Sequence, residues 1–125
     1  MREIRFRAWD KEKKRMIANV VSVFHFDQGE FHGIGYRGGC TPRYYQKNHV
    51  ELMQYTGLLD KNGKEIYEGD ILRGNQGNFK VLWESGRYTV AFPKGATVQN
   101  LHTFLLSNGE KEVIGNIYEN PERLK

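Results

Sequence analysis

Alternation of apolar and polar side chains with a period of two recurs along this chain, and runs at helical spacing are scarce. In IRFRAW at residues 4–9, Ile4, Phe6 and Ala8 fall on one face, and Arg5, Arg7 and Trp9 on the other, the pattern of a half-buried strand. DKEKK predicts a turn, and RMIANVVSVFHF, rich in β-branched and aromatic residues, predicts the returning partner strand. Further along, FKVLWE and YTVAF alternate on either side of SGR, which suits a tight hairpin. Phe79, Val81 and Trp83 share one face there, Tyr88, Val90 and Phe92 the matching one, and Pro93 with Gly95 ends the second strand. TVQNLHTFLL predicts another strand, SNGE a turn, and KEVIGNIYE the last strand. Asn120 followed by Pro121 predicts a capped helical turn at the end.

The expected fold is all-β: a strongly bent sheet closing into a small barrel, with at most short helical turns. Residues 27–48, with five glycines and a proline, are expected to form a hairpin and then a long, exposed Gly-rich loop. Ile4, Phe6, Ile71, Val81, Trp83, Val90 and Ile117 are the predicted core positions. At 125 residues the chain is expected to be a single domain, 1–125, that buries a core without cross-links.

Residues 52–72, LMQYTGLLDKNGKEIYEGDIL, pose the sharpest chemical question, because they gather Asp60, Glu65, Glu68 and Asp70. An acid–base pair needs two carboxyl groups in different environments. The positions fit turns better. Asp60 can accept from backbone two residues on, Asn62-Gly63 supplies the positive-φ positions of a tight hairpin, and Gly69-Asp70 can serve alike before ILRG.

Composition narrows the class. Hydrophobic content of 38% with charged content of 27% suits a globular chain, and no window approaches the apolar length of a membrane-spanning helix. The N-terminal residues lack an apolar signal segment, and the lone cysteine, Cys40, excludes an internal disulfide. A cytoplasmic location is therefore expected, with no membrane association.

The net charge of +4 is uneven: residues 1–15 hold seven basic side chains against three acidic ones, while the remainder balances. Arg5, Arg7, Lys13, Lys14 and Arg15, with Trp9, could meet phosphate and stack bases; Tyr44 and Tyr45, beside Tyr36, Arg37 and Arg43, offer a second mixed patch. The plainer reading makes the basic run a solvated hairpin tip and the aromatics packing. His25, His32, Cys40 and His49 are zinc-binding types, but their gaps of seven, eight and nine residues bring no close ligand pair, so no metal is expected. Cys40 has no recognisable oxyanion loop or elbow around it, and GIGYRGG lacks the strand–helix context of a phosphate loop. No catalytic residue and no cofactor are expected.

IRFRAWD at 4–10, the 52–72 stretch and EVIGNIYENPERL at 112–124 resemble, in order and spacing, the three signature blocks of the YopX family, small phage and prophage proteins of Gram-positive bacteria. The blocks cover about a third of the chain. The resemblance implies an all-β, barrel-like fold and brings no established activity, so no catalytic residue carries over. One departure is Arg123-Leu124, where relatives often continue with Glu or Leu.

Two functions stay open from sequence. The first is a non-enzymatic interaction module that self-associates as a homo-oligomer or binds a protein partner. The alternative is single-stranded nucleic-acid binding through Arg5, Arg7, Trp9, Lys13, Lys14 and Arg15, with Tyr44 and Tyr45.

Overall fold

The computed structural model describes residues 4–18, 20–25, 31–38, 41–74, 77–92, 97–107 and 109–124, and its fold is all-β, with one sheet strongly curled into a half-barrel. The chain packs as two compact units, one over Ile4–Gln54 and one from Tyr55 onward.

In the first unit β1 (Phe6–Asp10) runs antiparallel to β2 (Arg15–Ile17), with Ala8 opposite Ile17. On its other side it pairs with the start of β6 (Val50–Leu59), Ala8 opposite Leu52. A second ladder joins β3 (Val20–His25), β4 (Phe31–Gly38) and β5 (Thr41–Gln46), and a 3-10 turn over Lys47–His49 leads on to β6. Ala8, Ile17, Ile34, Tyr36 and Val50 form the buried core of this unit.

Three sequence expectations are corrected here. Only Arg15–Ile17 returns beside β1; the valine-rich run that follows pairs with β4 instead. Trp9 is buried rather than outward, because this end of β1 is covered on both faces: Ala8, Trp9 and Asp10, which alternate between them, are all buried. The expected long loop over 27–48 contains β4 and β5 (26–30 and 39–40 lie outside the described residues). Gly33, Gly35 and Gly38 belong to β4, and a Cβ at Gly33 would sit 2.5 Å from the Tyr45 carbonyl oxygen and 2.7 Å from the Tyr44 hydroxyl. Glycine there is clearance for a neighbouring strand rather than a break.

In the second unit β6 continues to β7 (Glu65–Tyr67), with Tyr55 opposite Tyr67 and Leu59 opposite Glu65. The bulge between them is filled by Thr56, whose hydroxyl donates to the Ile66 carbonyl at 2.7 Å and accepts from Leu58 N–H at 3.2 Å, while Gly57 takes φ 86°. A five-stranded sheet follows in the order β11 (Thr97–Asn100), β10 (Arg87–Ala91), β9 (Gly77–Glu84), β8 (Asp70–Gly74) and β12 (Glu112–Asn116). Its core is Ile66, Leu72, Phe79, Val81, Val90, Leu101 and Phe104, each large side chain contributing about 1.5–3 kcal/mol on burial. The SGR hairpin forms as expected, with Ser85 at φ 54° and Gly86 at φ 81°, the two positive values a primed turn requires.

Of the predicted core, Ile71, Val81 and Val90 are fully buried, and Phe6 and Ile117 half-buried. Ile4 and Trp83 are exposed, at 64% and 54%. Ile4 precedes the first strand, and Trp83 lies where β9 runs past its cover toward the hairpin tip, its ring edge-on to Tyr88 at 4.7 Å.

The expected strand over 97–106 stops at Asn100, and α1 (Leu101–Leu106) takes over. The Asn100 side chain caps it by accepting from Thr103 N–H at 2.8 Å, and Leu101 and Phe104, three apart, turn into the core. Past its C-terminus the Lys111 ammonium, in a residue only 4% exposed, donates to the carbonyls of Gly109 at 2.8 Å and Ser107 at 3.4 Å and lies 5.1 Å from the Phe104 ring centre. The closing 3-10 turn over Pro121–Leu124 forms as expected, although the Asn120 side chain accepts from Asn116 N–H behind it rather than capping ahead.

Thr89 is 1% exposed on β10 and its hydroxyl has no hydrogen-bond partner among the described residues. Thr89→Val should therefore be neutral or stabilising, by up to about 1 kcal/mol in urea unfolding, because it removes an unsatisfied buried polar group. A clear loss of stability would show that the hydroxyl is bonded in solution.

Candidate interaction face

The β1–β2 turn carries most of the basic residues singled out in the sequence, and a buried aspartate shapes it. Asp10, fully buried at the end of β1, accepts from the N–H groups of Glu12 and Lys13, both at 3.0 Å, through Oδ1. Its backbone carbonyl accepts from Lys14 N–H at 2.9 Å, and Lys14 closes the turn in the left-handed region at φ 55°. Oδ2 accepts from the Tyr45 hydroxyl at 2.6 Å and faces Arg15 Nε at 3.7 Å. Burial pushes the Asp10 carboxyl up. The hydrogen bonds from Lys13, Tyr45 and Glu12, with the charge of Arg15, more than offset this and hold it below the ordinary carboxylate range.

Donating to Asp10 and being buried push the Tyr45 hydroxyl up to about 12, against the opposing effect of Arg15. Tyr45 is thus a neutral donor at physiological pH and is unsuited to act as base or nucleophile. Its ring stacks on Tyr36 at 5.2 Å.

Tyr45 in this way ties β5 to the turn, thirty-five residues away in sequence. The structure therefore joins one residue of the second patch, Tyr45, to the basic turn, whereas Tyr44, next to it on β5, faces the opposite side of the strand and lies against Gly33. Lys13, Lys14 and Arg15 are exposed on the turn, Tyr44 is 48% exposed on β5, and Arg43 is exposed beside it. Lys11 pairs with Glu51 and His49 with Glu12, each at 2.9 Å, whereas Lys13, Lys14 and Arg43 make no ion pair among the described residues. Arg5 is exposed and Arg7 half-buried, and Trp9 is withdrawn from any face it could offer to a base. The organising role of Asp10 escaped the sequence reading; the signal for it was an acidic residue two and three positions ahead of turn amides.

The other carboxylates serve turns. Asp60 accepts from Asn62 and Lys64 N–H at 2.8 and 2.9 Å and, across the sheet, from Val113 N–H at 2.9 Å; buried Asp70 accepts from Tyr67 N–H at 2.8 Å. Among the described residues no group of three or more His, Cys, Asp or Glu side chains is placed to hold a metal. Cys40 and the side chains of His25 and His32 lie outside the described residues, and His49 faces Glu12. No helix is long and apolar enough to cross a membrane.

Fold and face together define a small all-β protein with a preorganised basic turn. Its family follows from comparison: the model of the YopX protein family matches residues 5–125, and the chain belongs to that family. It is similar to the crystal structure of protein EF1440 from Enterococcus faecalis, at 30% identity and TM-score 0.75, with all of both chains covered. It shares its fold with the crystal structure of protein YopX from Bacillus subtilis, at 21% identity and TM-score 0.69, again over the whole of both chains. No curated protein matches the chain.

Proposed function

We propose that the protein is a non-enzymatic interaction module, and that the Ile4–Gln54 unit binds single-stranded nucleic acid through its basic turn. One observation carries this reading: the Tyr45–Asp10 hydrogen bond ties the turn that carries Lys13 and Lys14, which make no ion pair among the described residues, to β5, on which Arg43 is exposed. Exposed cations attract phosphate, and the exposed Tyr44 ring on the other face of β5 can stack a base of a strand that passes round it. Trp9 takes no part, since it is buried.

The test is titration of a labelled oligonucleotide single strand at several salt concentrations. Binding should weaken steeply with salt, by a slope of about 0.7 per phosphate contact, and Lys13→Ala, Lys14→Ala and Arg15→Ala combined should lower that slope by roughly 2. No binding at low salt, or an unchanged slope, would remove the proposal.

A protein partner or a second copy is the other reading, supported by exposed Trp83 on the second unit, an aromatic type enriched at interface centres. Sedimentation showing assembly in the wild type but not in Trp83→Ala would favour it.

A further inference from the structure

We infer that a cleft on the second unit binds a phosphomonoester of nucleotide size. The cleft has a volume of about 780 Å³, within the range of small-molecule sites, and its walls come from β7's approach, β8, β9, β12 and the closing 3-10 turn. It lies wholly within the unit that begins at Tyr55, so it is independent of the basic turn.

Its charges divide into two kinds. The carboxylates are already served by protein donors. Glu112 pairs with Arg73 and accepts from Asn62 Nδ2 at 3.4 Å, and Glu119 accepts from Asn116 Nδ2 at 3.0 Å. Two cations, Lys64 and Arg123, line the same cleft and make no ion pair among the described residues. Asp60 feels the charge of Lys64, but backbone N–H groups already occupy its oxygens. What the cleft offers a ligand is therefore two uncommitted positive charges, which match the charge of nearly −2 on a phosphomonoester at neutral pH. The guanidinium supplies the planar fork that grips such an oxyanion, and the ammonium supplies a point charge.

The walls are preformed. Asn116 Oδ1 accepts from the N–H groups of Tyr118 and Glu119 at 3.0 and 2.8 Å, which fixes the turn after β12. Asn78 Nδ2 donates to the Arg123 carbonyl at 2.6 Å and anchors the backbone that carries the guanidinium. Gly115, at φ 153°, leaves no room for a Cβ, which would fall 2.3 Å from Asn120 Oδ1. The backbone of the walls is thus fixed, and the ordering cost of binding falls on the Lys64 and Arg123 side chains.

The test follows backbone amide resonances of the full chain during titration with adenosine monophosphate, inorganic phosphate and adenosine in parallel. Adenosine monophosphate should shift the Gly115 and Asn116 amides saturably and bind more tightly than either fragment. Lys64→Gln with Arg123→Gln should weaken it about tenfold or more, the scale of one lost charge-assisted contact, with melting unchanged because both residues are exposed. Adenosine alone binding as well as the nucleotide would overturn the phosphate assignment, and phosphate binding as tightly as the nucleotide would overturn the nucleotide size. Shifts confined to the Lys11–Arg15 turn, or none, would remove the cleft as a site, and the wild-type map decides this whether or not the variants fold.

Discussion

Asp60→Ala should cost the protein about 3 kcal/mol, and Asp60→Asn about half of that, in urea unfolding. The carboxylate is nearly buried, and its two oxygens collect three backbone donors, from Asn62, Lys64 and Val113, the last fifty-three residues away. Alanine strands all three. Asparagine keeps one oxygen for two of them and turns an NH₂ on the third. The same contacts predict acid behaviour. Burial pushes the carboxyl up, but the N–H donors of Val113, Lys64 and Asn62 and the charge of Lys64 bring it below its ordinary value. A depressed folded value means that Asp60 stabilises the protein above the unfolded pKa, near 4, and that this share is lost as pH falls below it. Asp60→Asn should flatten the acid limb of a stability–pH curve. An Asp60→Ala variant as stable as wild type would show that the turn and β12 hold without it.

Asp10→Ala should be comparably damaging in the other unit, at about 2–3 kcal/mol, because it strands the Glu12 and Lys13 amides and the Tyr45 hydroxyl. Its diagnostic readout is Tyr45. With its folded value raised to about 12, Tyr45 stabilises the protein fully below the unfolded pKa near 10, and this share is lost as pH climbs through about 12. In Asp10→Ala the tyrosinate absorbance of Tyr45 should appear closer to 10, and the alkaline loss of stability should shrink. A late-titrating tyrosine that survives in Asp10→Ala would show that burial alone raises it. On the proposed nucleic-acid reading, the variant should also weaken oligonucleotide binding, although no cation of the turn is removed.

Much of the architecture could be read from residues whose local chemistry and tertiary role agree. Asn62-Gly63 and Ser85-Gly86 form turns because their backbone needs are local, and Asp60 reads as a turn former because two of its three bonds lie within four residues. The misreadings fall where distant contacts decide. Gly33 looks like a loop residue until the Tyr45 backbone is placed against it, and Trp9 looks outward by alternation although both faces of its strand are buried. Asn100 before Leu101 and Phe104 held a legible helix signal, a cap followed by apolar residues three apart, which the β-rich surroundings masked. Of the interaction face, the charges were legible but not the meeting of their turn with Tyr45, because the bond that joins them spans thirty-five residues.

Lys111 gives the second unit a protected amine. Its ammonium is held by two carbonyls and screened by the Phe104 ring, while Lys64 and Lys61, whose backbone N–H donates to the Lys111 carbonyl, are exposed. Acylating reagents, and enzymes that modify lysine, meet the exposed amines first and reach Lys111 only when the segment after α1 opens. Its rate of labelling is therefore a clock for that local opening, built into the chain without any introduced probe.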